Sequence, residues 1–423
     1  MKEDFHYLDL LTVSRLIQSR AVSSVEVTRQ MLDRIERLDG KLGSYFTVVA
    51  DLALAEARAA DASIGKGRIA GPLHGVPLAV KDLLETQGVT TTHGMPIRKY
   101  YVPAKDATVV ARLRDAGAVL LGKLAQTEGA FADHHPDVAP PVNPWGDALW
   151  SGASSSGPGV ATASGLCFGS IGSDTGGSIR FPSAMNGVTG LKPTWGRVSR
   201  YGVHELAASL DHIGPMARTA ADAAAMLFAI AGADPLDPTA SLEPVPDYLA
   251  LMTRGLKGLR VGIDAAWTSA RVDEPAKQVL QHVPEVVAKL GGQMCPVQFP
   301  DVEQALHDWT PLCAVETAVY HEQDFPSRGD EYGAALAGFI DQGRALGARD
   351  HHKLLLARAD FRGRVSALFQ GVDLLLVPAF ATSAPSKELM TRFGTDAELF
   401  SGMLRYTAPF NLTGHPTITL PGG

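Results

Sequence analysis

Between residues 8 and 38 the apolar positions recur at three- and four-residue spacing: Leu8, Leu11, Val13, Leu16 and Ile17, then Val25, Val27, Met31, Leu32, Ile35 and Leu38. That period places them on one face of a helix and predicts two amphipathic helices, with Ser23 and Ser24 capping the second. The pattern then changes to short apolar runs set between Gly and Pro. GVPLAVKD (75–82) predicts a buried strand whose end carries Lys81. A helix over Thr108–Gly117 leads into a strand at AVLLG (118–122), and another helix is expected at about 219–231. LRVGID (259–264), DLLLVPAF (373–380) and PTITLP (416–421) predict later strands, with helices filling most of 273–370. Strands interleaved with helices make this an α/β chain whose sheet is covered on both faces. The segment DPLDPTASLEPVPD (234–247) is the expected surface connection between its halves.

At 423 residues the chain can build one large core, and 45% hydrophobic against 20% charged residues is the balance of a globular protein. The net charge of −7, without a Lys/Arg cluster, argues against direct nucleic-acid binding, which needs a basic excess on one face. No apolar run approaches the roughly 20 residues that cross a bilayer, so no membrane span is expected. The N-terminal MKEDFHYLDLL mixes charge signs and shows no cleavage site after an apolar run; no signal peptide is expected, and the cytoplasm is the default location. Cys167, Cys295 and Cys313 lack zinc-ligand spacing and sit among apolar neighbours, so all three read as core residues and no metal site is expected.

Two strings imitate well-known motifs. Gly117 to Lys123 fits GxxxxGK, but Leu124 stands where Ser or Thr would hold Mg²⁺, and the intervening AVLL is a strand. Ser63 to Lys66 fits SxxK within SIGKGR, a polar connection rather than the start of a buried helix. GxSxG does not occur. What stands apart is 151–200, because roughly a quarter of residues 151–190 are Gly and nearly as many are Ser. Such a backbone must turn tightly or approach something closely. Within it, GSDTGGSIR (172–180) sets paired glycines before a serine and an arginine. Glycines leave backbone N–H groups unobstructed, and successive N–H groups can form an anion-binding nest. Thr175, Gly176, Gly177 and Ser178 are the natural donors to an oxyanion, each worth about 2.7–4 kcal/mol in a transition state.

GSDTGGSIRFP, the preceding Ser/Gly cluster GASSSGPG and the upstream GVPLAVKD together resemble the amidase signature family. The similarity runs on through GLKPTWGRVSRYG and SLDHIGPMARTAADAA to NLTGHPTITLP. It implies a single large domain over 1–423, with a central mixed, twisted β-sheet covered by helices on both faces. A signature core would span about 70–232, and a more variable substrate-pocket region about 233–410. It also implies that Ser178 is the nucleophile, that Ser154, preceded by a cis peptide bond, bridges, and that Lys81 is the base. Asp174 and Arg180 would buttress the loop, although a plain structural ion pair fits them equally well.

The residue chemistry supports the same three groups. A serine hydroxyl needs a neighbouring base, and no histidine lies between His135 and His204. Lysine at its ordinary pKa of about 10.4 is charged, but burial among Val76, Leu78, Val80, Leu83 and Leu84 would lower it. Ser154 would then relay the proton in an acyl-enzyme mechanism that requires no metal or organic cofactor.

The chain departs from the family pattern at GASSSGPG, where Ala153 precedes Ser154, and at GKLAQTEG (122–129), which should reshape the pocket wall. It also stops at Pro421-Gly422-Gly423, where relatives continue with another strand and helix, so either the sequence is truncated or one sheet edge is built differently. The expected substrate is a small carboxamide, aryl amide or carbamate/ester-like molecule. The alternatives are the glutamine-hydrolysing component of a tRNA-dependent amidotransferase, working with a partner protein, and a non-catalytic scaffold. The departures favour a stand-alone hydrolase, and a homodimer stays open. Pocket walls are expected from 125–150 and 305–410, with Phe131, Trp145, Trp150, Trp309, Tyr320, Phe339, Phe400 and Tyr406 as candidates.

Overall fold

The computed structural model describes residues 5–422; Met1–Asp4, part of the charge-mixed N-terminal stretch, and Gly423 lie outside them. The described residues contain ten strands: β1 (Tyr45–Val48), β2 (Pro77–Lys81), β3 (Val119–Leu124), β4 (Gly169–Asp174), β5 (Thr189–Lys192), β6 (His212–Ala217), β7 (Arg260–Ile263), β8 (Gln293–Pro296), β9 (Leu374–Leu375) and β10 (Thr417–Thr419). Seven form the central sheet in the order β1-β3-β2-β4-β6-β5-β10. β2 runs parallel to β3 and to β4, and the other pairs are antiparallel, so the sheet is mixed. Every residue of β2, β3, β4 and β6 is buried. Successive strand residues face opposite sides, so burial at each position means that both faces are covered. One apolar cluster extends from Phe5 to Leu412.

The two N-terminal helices form as the periodicity predicts, as α1 (Leu10–Gln18) and α2 (Ser24–Leu42). Ser23 alone caps α2, in a reciprocal box with Glu26 that satisfies two backbone donors. The Ser24 amide instead reaches Asp61 at 2.7 Å. Met31 and Ile35 on α2, with Leu10, Val13 and Ile17 on α1, are buried, each contributing about 1.5–3 kcal/mol. Helix α3 (Ala50–Gly65) was not expected. Its buried face is Ala53, Ala57, Ala60 and Ile64, and alanine gives a faint hydrophobic period. SIGKGR is therefore the end of this helix, not a free connection.

Three other expectations shift. β3 runs two residues past AVLLG and takes in Lys123. DLLLVPAF supplies only a two-residue strand, since β9 pairs on one side alone and Pro378 has no N–H to continue a ladder. Cys167 and Cys313 are buried, but Cys295 is only half-buried, because β8 is an edge of the second, three-stranded parallel sheet β8-β7-β9. The 234–247 segment runs over the surface, pinned by Asp234 on Ser199 Oγ (2.5 Å) and Thr108 Oγ1 (2.6 Å). Among the described residues no helix is long and apolar enough to cross a membrane.

Candidate active site

Adjacent, parallel β2 and β4 bring the two signature segments together. β2 delivers Lys81 at its last residue, and β4 ends on Asp174, just before the turn that carries Ser178. The loop holding Ser154 lies against β4. Ser155 Oγ donates to the Ser173 carbonyl at 3.2 Å and accepts the Ser173 amide at 3.3 Å, while the Ser155 amide donates to the Ser178 carbonyl at 3.3 Å. The Ala153–Ser154 peptide bond is cis. Lys81 Nζ lies 2.7 Å from Ser154 Oγ and 2.9 Å from Ser173 Oγ.

Lys81 and Ser154 are buried, whereas Ser178 is partly exposed and lines a small cleft that Ser154 also reaches. Burial brings the Lys81 pKa down from its ordinary 10.5 to about 7, against the opposing pull of the Asp211 and Asp174 carboxylates. Ser173 was missed by sequence reasoning. It lies within the singled-out GSDTGGSIR, but only the strand register shows that its side chain faces Lys81.

The turn after β4 is held from behind by a dense polar cluster. Asp174 accepts from Arg180 at 2.7 and 3.0 Å, from the Ile179 amide at 3.1 Å and from Asn411 Nδ2 at 2.9 Å. Arg180 also donates to the Thr407 carbonyl and to Asn411 Oδ1. Burial alone would raise the Asp174 pKa, but the Arg180 guanidinium outweighs it and holds the carboxyl well below the usual range. The expected pair is thus present, and Asn411, from NLTGHPTITLP, completes it. Among the described residues no acceptor is bonded to the backbone N–H of Thr175, Gly176, Gly177 or Ser178. Gly177 has φ +147°, and a Cβ there would lie 2.4 Å from the Phe181 ring, so only glycine fits.

The absence of histidine from 136–203 did not keep histidine away. His134 Nε2 lies 3.1 Å from Ser156 Oγ, close enough to Lys81 to feel its charge. Burial first, and Lys81 second, bring its pKa down to about 4, which leaves it a weak base. Among the described residues no group of three or more His, Cys, Asp or Glu side chains could hold a metal ion.

The cleft wall is apolar. Ala130, Phe131, Ala132, Phe181, Leu206, Trp309, Phe393, Phe400 and Leu404 line it. Of the eight aromatic candidates, Phe131, Trp309 and Phe400 are there. Phe339 stacks behind Phe131 at 4.1 Å, Tyr406 donates to the Trp267 carbonyl at 2.9 Å, and Trp145 is largely exposed. GKLAQTEG itself does not reach the cleft; the three residues that follow it do, because β3 carries Lys123 into a separate buried cluster.

The Amidase family model matches residues 26–423. The chain belongs to the amidase signature family. It is 50% identical to a Mycobacterium tuberculosis protein named "Putative amidase AmiD" over 416 residues, 98% of this chain and 87% of that one. It is 46% identical to a glutamyl-tRNA(Gln) amidotransferase component from Anaeromyxobacter dehalogenans, over 96% of this chain and 87% of the relative. A solved structure described as a vestigial protein complex revealing the origins of an s-triazine catabolic enzyme superposes with TM-score 0.89 at 31% identity, covering 97% of this chain and 90% of that one. As a member of the amidase family the chain is a hydrolase of carbon–nitrogen bonds.

Proposed function

We propose that this amidase hydrolyses a small, uncharged carboxamide with an aryl or apolar group, or the corresponding carbamate or ester, through an acyl-enzyme on Ser178. The observation that carries the reading is the 2.7 Å contact of buried Lys81 with Ser154, which lines the same cleft as Ser178. Ser178 Oγ attacks the substrate carbonyl and passes its proton to Ser154, which hands its own proton to neutral Lys81. The backbone N–H groups of Thr175, Gly176, Gly177 and Ser178 receive the oxyanion. As the intermediate collapses, the proton returns through Ser154 to the departing amine. Water then repeats the sequence against the acyl-enzyme and releases the acid. Asp174 and Arg180 keep the loop in place. Each step uses groups of this chain alone. Residues 70–232 carry the reacting groups, and 233–410 lend Trp309, Phe393, Phe400 and Leu404 to the wall.

The likeness to an amidotransferase component keeps glutamine hydrolysis as the second reading. Glutamine presents an α-ammonium and an α-carboxylate, and the cleft lining holds no charged side chain to meet them. The test is turnover of aryl anilides, primary amides, esters, carbamates and glutamine, with a fluorophosphonate used to map the nucleophile. Hydrolysis of apolar amides with the label on Ser178 is expected. Glutamine as the preferred substrate, or a label elsewhere with activity lost, overturns the reading.

A further inference from the structure

The cleft wall and the turn that carries Ser178 share one side chain. Trp309 lies on the helix Glu303–Tyr320, far in sequence from the signature segments, and is buried. Its indole forms part of the cleft wall. Its Nε1–H also donates to the Thr175 carbonyl at 3.1 Å. The same ring presses on the next residue: a Cβ on Gly176 would lie 2.8 Å from the Trp309 ring and 3.0 Å from Leu404. Thr175 is held a second time, by its hydroxyl on Asp211 Oδ1 at 2.5 Å, and Asp211 itself accepts the Leu206 amide at 3.0 Å.

A trans peptide plane carries its C=O and its N–H in opposite directions. The Thr175–Gly176 bond is not among the cis bonds of the described residues, so fixing the Thr175 oxygen also fixes the direction of the Gly176 N–H. Without the indole, that plane keeps only the Asp211 anchor, which acts on the side chain and leaves the peptide free to tilt. A donor that must be aimed before charge develops loses most of its worth when it can swing.

We propose that Trp309 is a positioning residue that aims the Gly176 N–H at the developing oxyanion and so ties the pocket wall to the catalytic loop. This rests on the reading of Ser178 as the nucleophile. It assigns Trp309 a role in the transition state that a wall residue lacks: its hydrogen bond supports kcat, while its ring area supports ground-state binding.

The test replaces Trp309 by benzothienylalanine, which keeps the fused ring and loses the N–H. Two probes are compared, a phenethyl trifluoromethyl ketone and the matching methyl ketone. The first is attacked by Ser178 Oγ: a C–O bond forms, the carbonyl π pair becomes an oxyanion, and the serine proton passes through Ser154 to Lys81. The second binds with the same shape and is far less prone to addition. In the isostere the inhibition constant of the trifluoromethyl ketone should rise about ten- to a hundredfold, with fluorophosphonate labelling of Ser178 slowed in step. The methyl ketone should bind within about twofold of the parent, which also shows that the variant is folded.

An isostere that reacts as fast as an active parent overturns the positioning role and leaves the hydrolase reading standing. Equal weakening of both ketones also overturns it, since Trp309 is then only a wall. A parent protein inert to both covalent probes removes the nucleophile assignment and the Trp309 role together.

Discussion

Lys81 and Lys123 stand near the ends of neighbouring strands β2 and β3, and both are fully buried, yet their surroundings call for different protonation states. Lys123 Nζ is bonded to the Leu84 carbonyl and to the hydroxyls of Thr86 and Thr91, at 3.1 and 3.0 Å. Those hydroxyls already spend their hydrogens, on the carbonyls of Leu84 and Val89, so towards the lysine they can only accept. Three acceptors require three N–H donors, the full set of an ammonium. Asp82, 3.9 Å away, adds opposite charge. Lys81 faces two serine hydroxyls, and among the described residues neither hydroxyl hydrogen has another acceptor. A serine can therefore turn its O–H onto a neutral amine. Burial lowers both lysines, to about 7 for Lys81 and about 8 for Lys123. What separates a base from a strut is the count of committed acceptors and the connection to the cleft.

The comparison breaks most sharply at Lys81. Lys81→Met should cost about 10²–10⁴ in kcat/KM with the fold kept, and Lys81→Arg should not restore it, because guanidinium cannot give up its proton. Lys123→Met should do the reverse. It leaves the Asp82 carboxylate buried without its cation and should lower unfolding free energy by about 3–5 kcal/mol, while the folded fraction keeps kcat within a few-fold. Denaturant titration beside steady-state kinetics separates the two; a large kcat loss in folded Lys123→Met would show that both lysines serve the reaction.

A similar stability loss, about 3–5 kcal/mol, is expected for Arg180→Met, since Asp174 then stays buried without its partner. Because Arg180 holds the Asp174 pKa below its unfolded value, this contribution is present at neutral pH and fades only as acid titrates the carboxyl. The parent protein should therefore lose the extra stability in acid while the variant, already without it, changes less. Melting curves across the acid range check this.

The smallest effect is that of pH on turnover. Protonated Lys81 cannot accept a proton, so kcat/KM should rise with pH through about 7 and level off above it. Asp211, which burial raises to about 7, titrates in the same range, so the rise must vanish in Lys81→Met for the assignment to hold.

Much of this was legible in the chain and some was not, for reasons of distance. Ser154 and Ser178 lie in one Gly/Ser-rich segment, Lys81 ends an apolar strand string where a charge stands out, and Asp174 and Arg180 are six residues apart on one turn. Asn411 and Trp309 meet that turn only across the fold, over separations of 237 and 134 residues, which no local pattern encodes. Cys295 looked like a core residue from its apolar neighbours, but β8 is an edge strand and leaves it half-buried. Helix α3 escaped notice because alanine, which fits the close packing of α3 on β3, barely registers as hydrophobic. His134 enters through a loop, so counting histidines along the chain could not exclude it.

The central claim is that Lys81, unlike its strand neighbour Lys123, is free to be neutral near pH 7 and touches the cleft serine Ser154. Heteronuclear NMR of protein isotopically labelled at lysine Nζ tests it directly, with Lys81→Met and Lys123→Met assigning those two signals and setting them apart from that of Lys192, which is also fully buried. The account predicts that the Lys81 signal changes from ammonium to amine with a midpoint of about 7, below the Lys123 midpoint of about 8. A Lys81 signal that stays ammonium well above neutrality, or that titrates after Lys123, would contradict it.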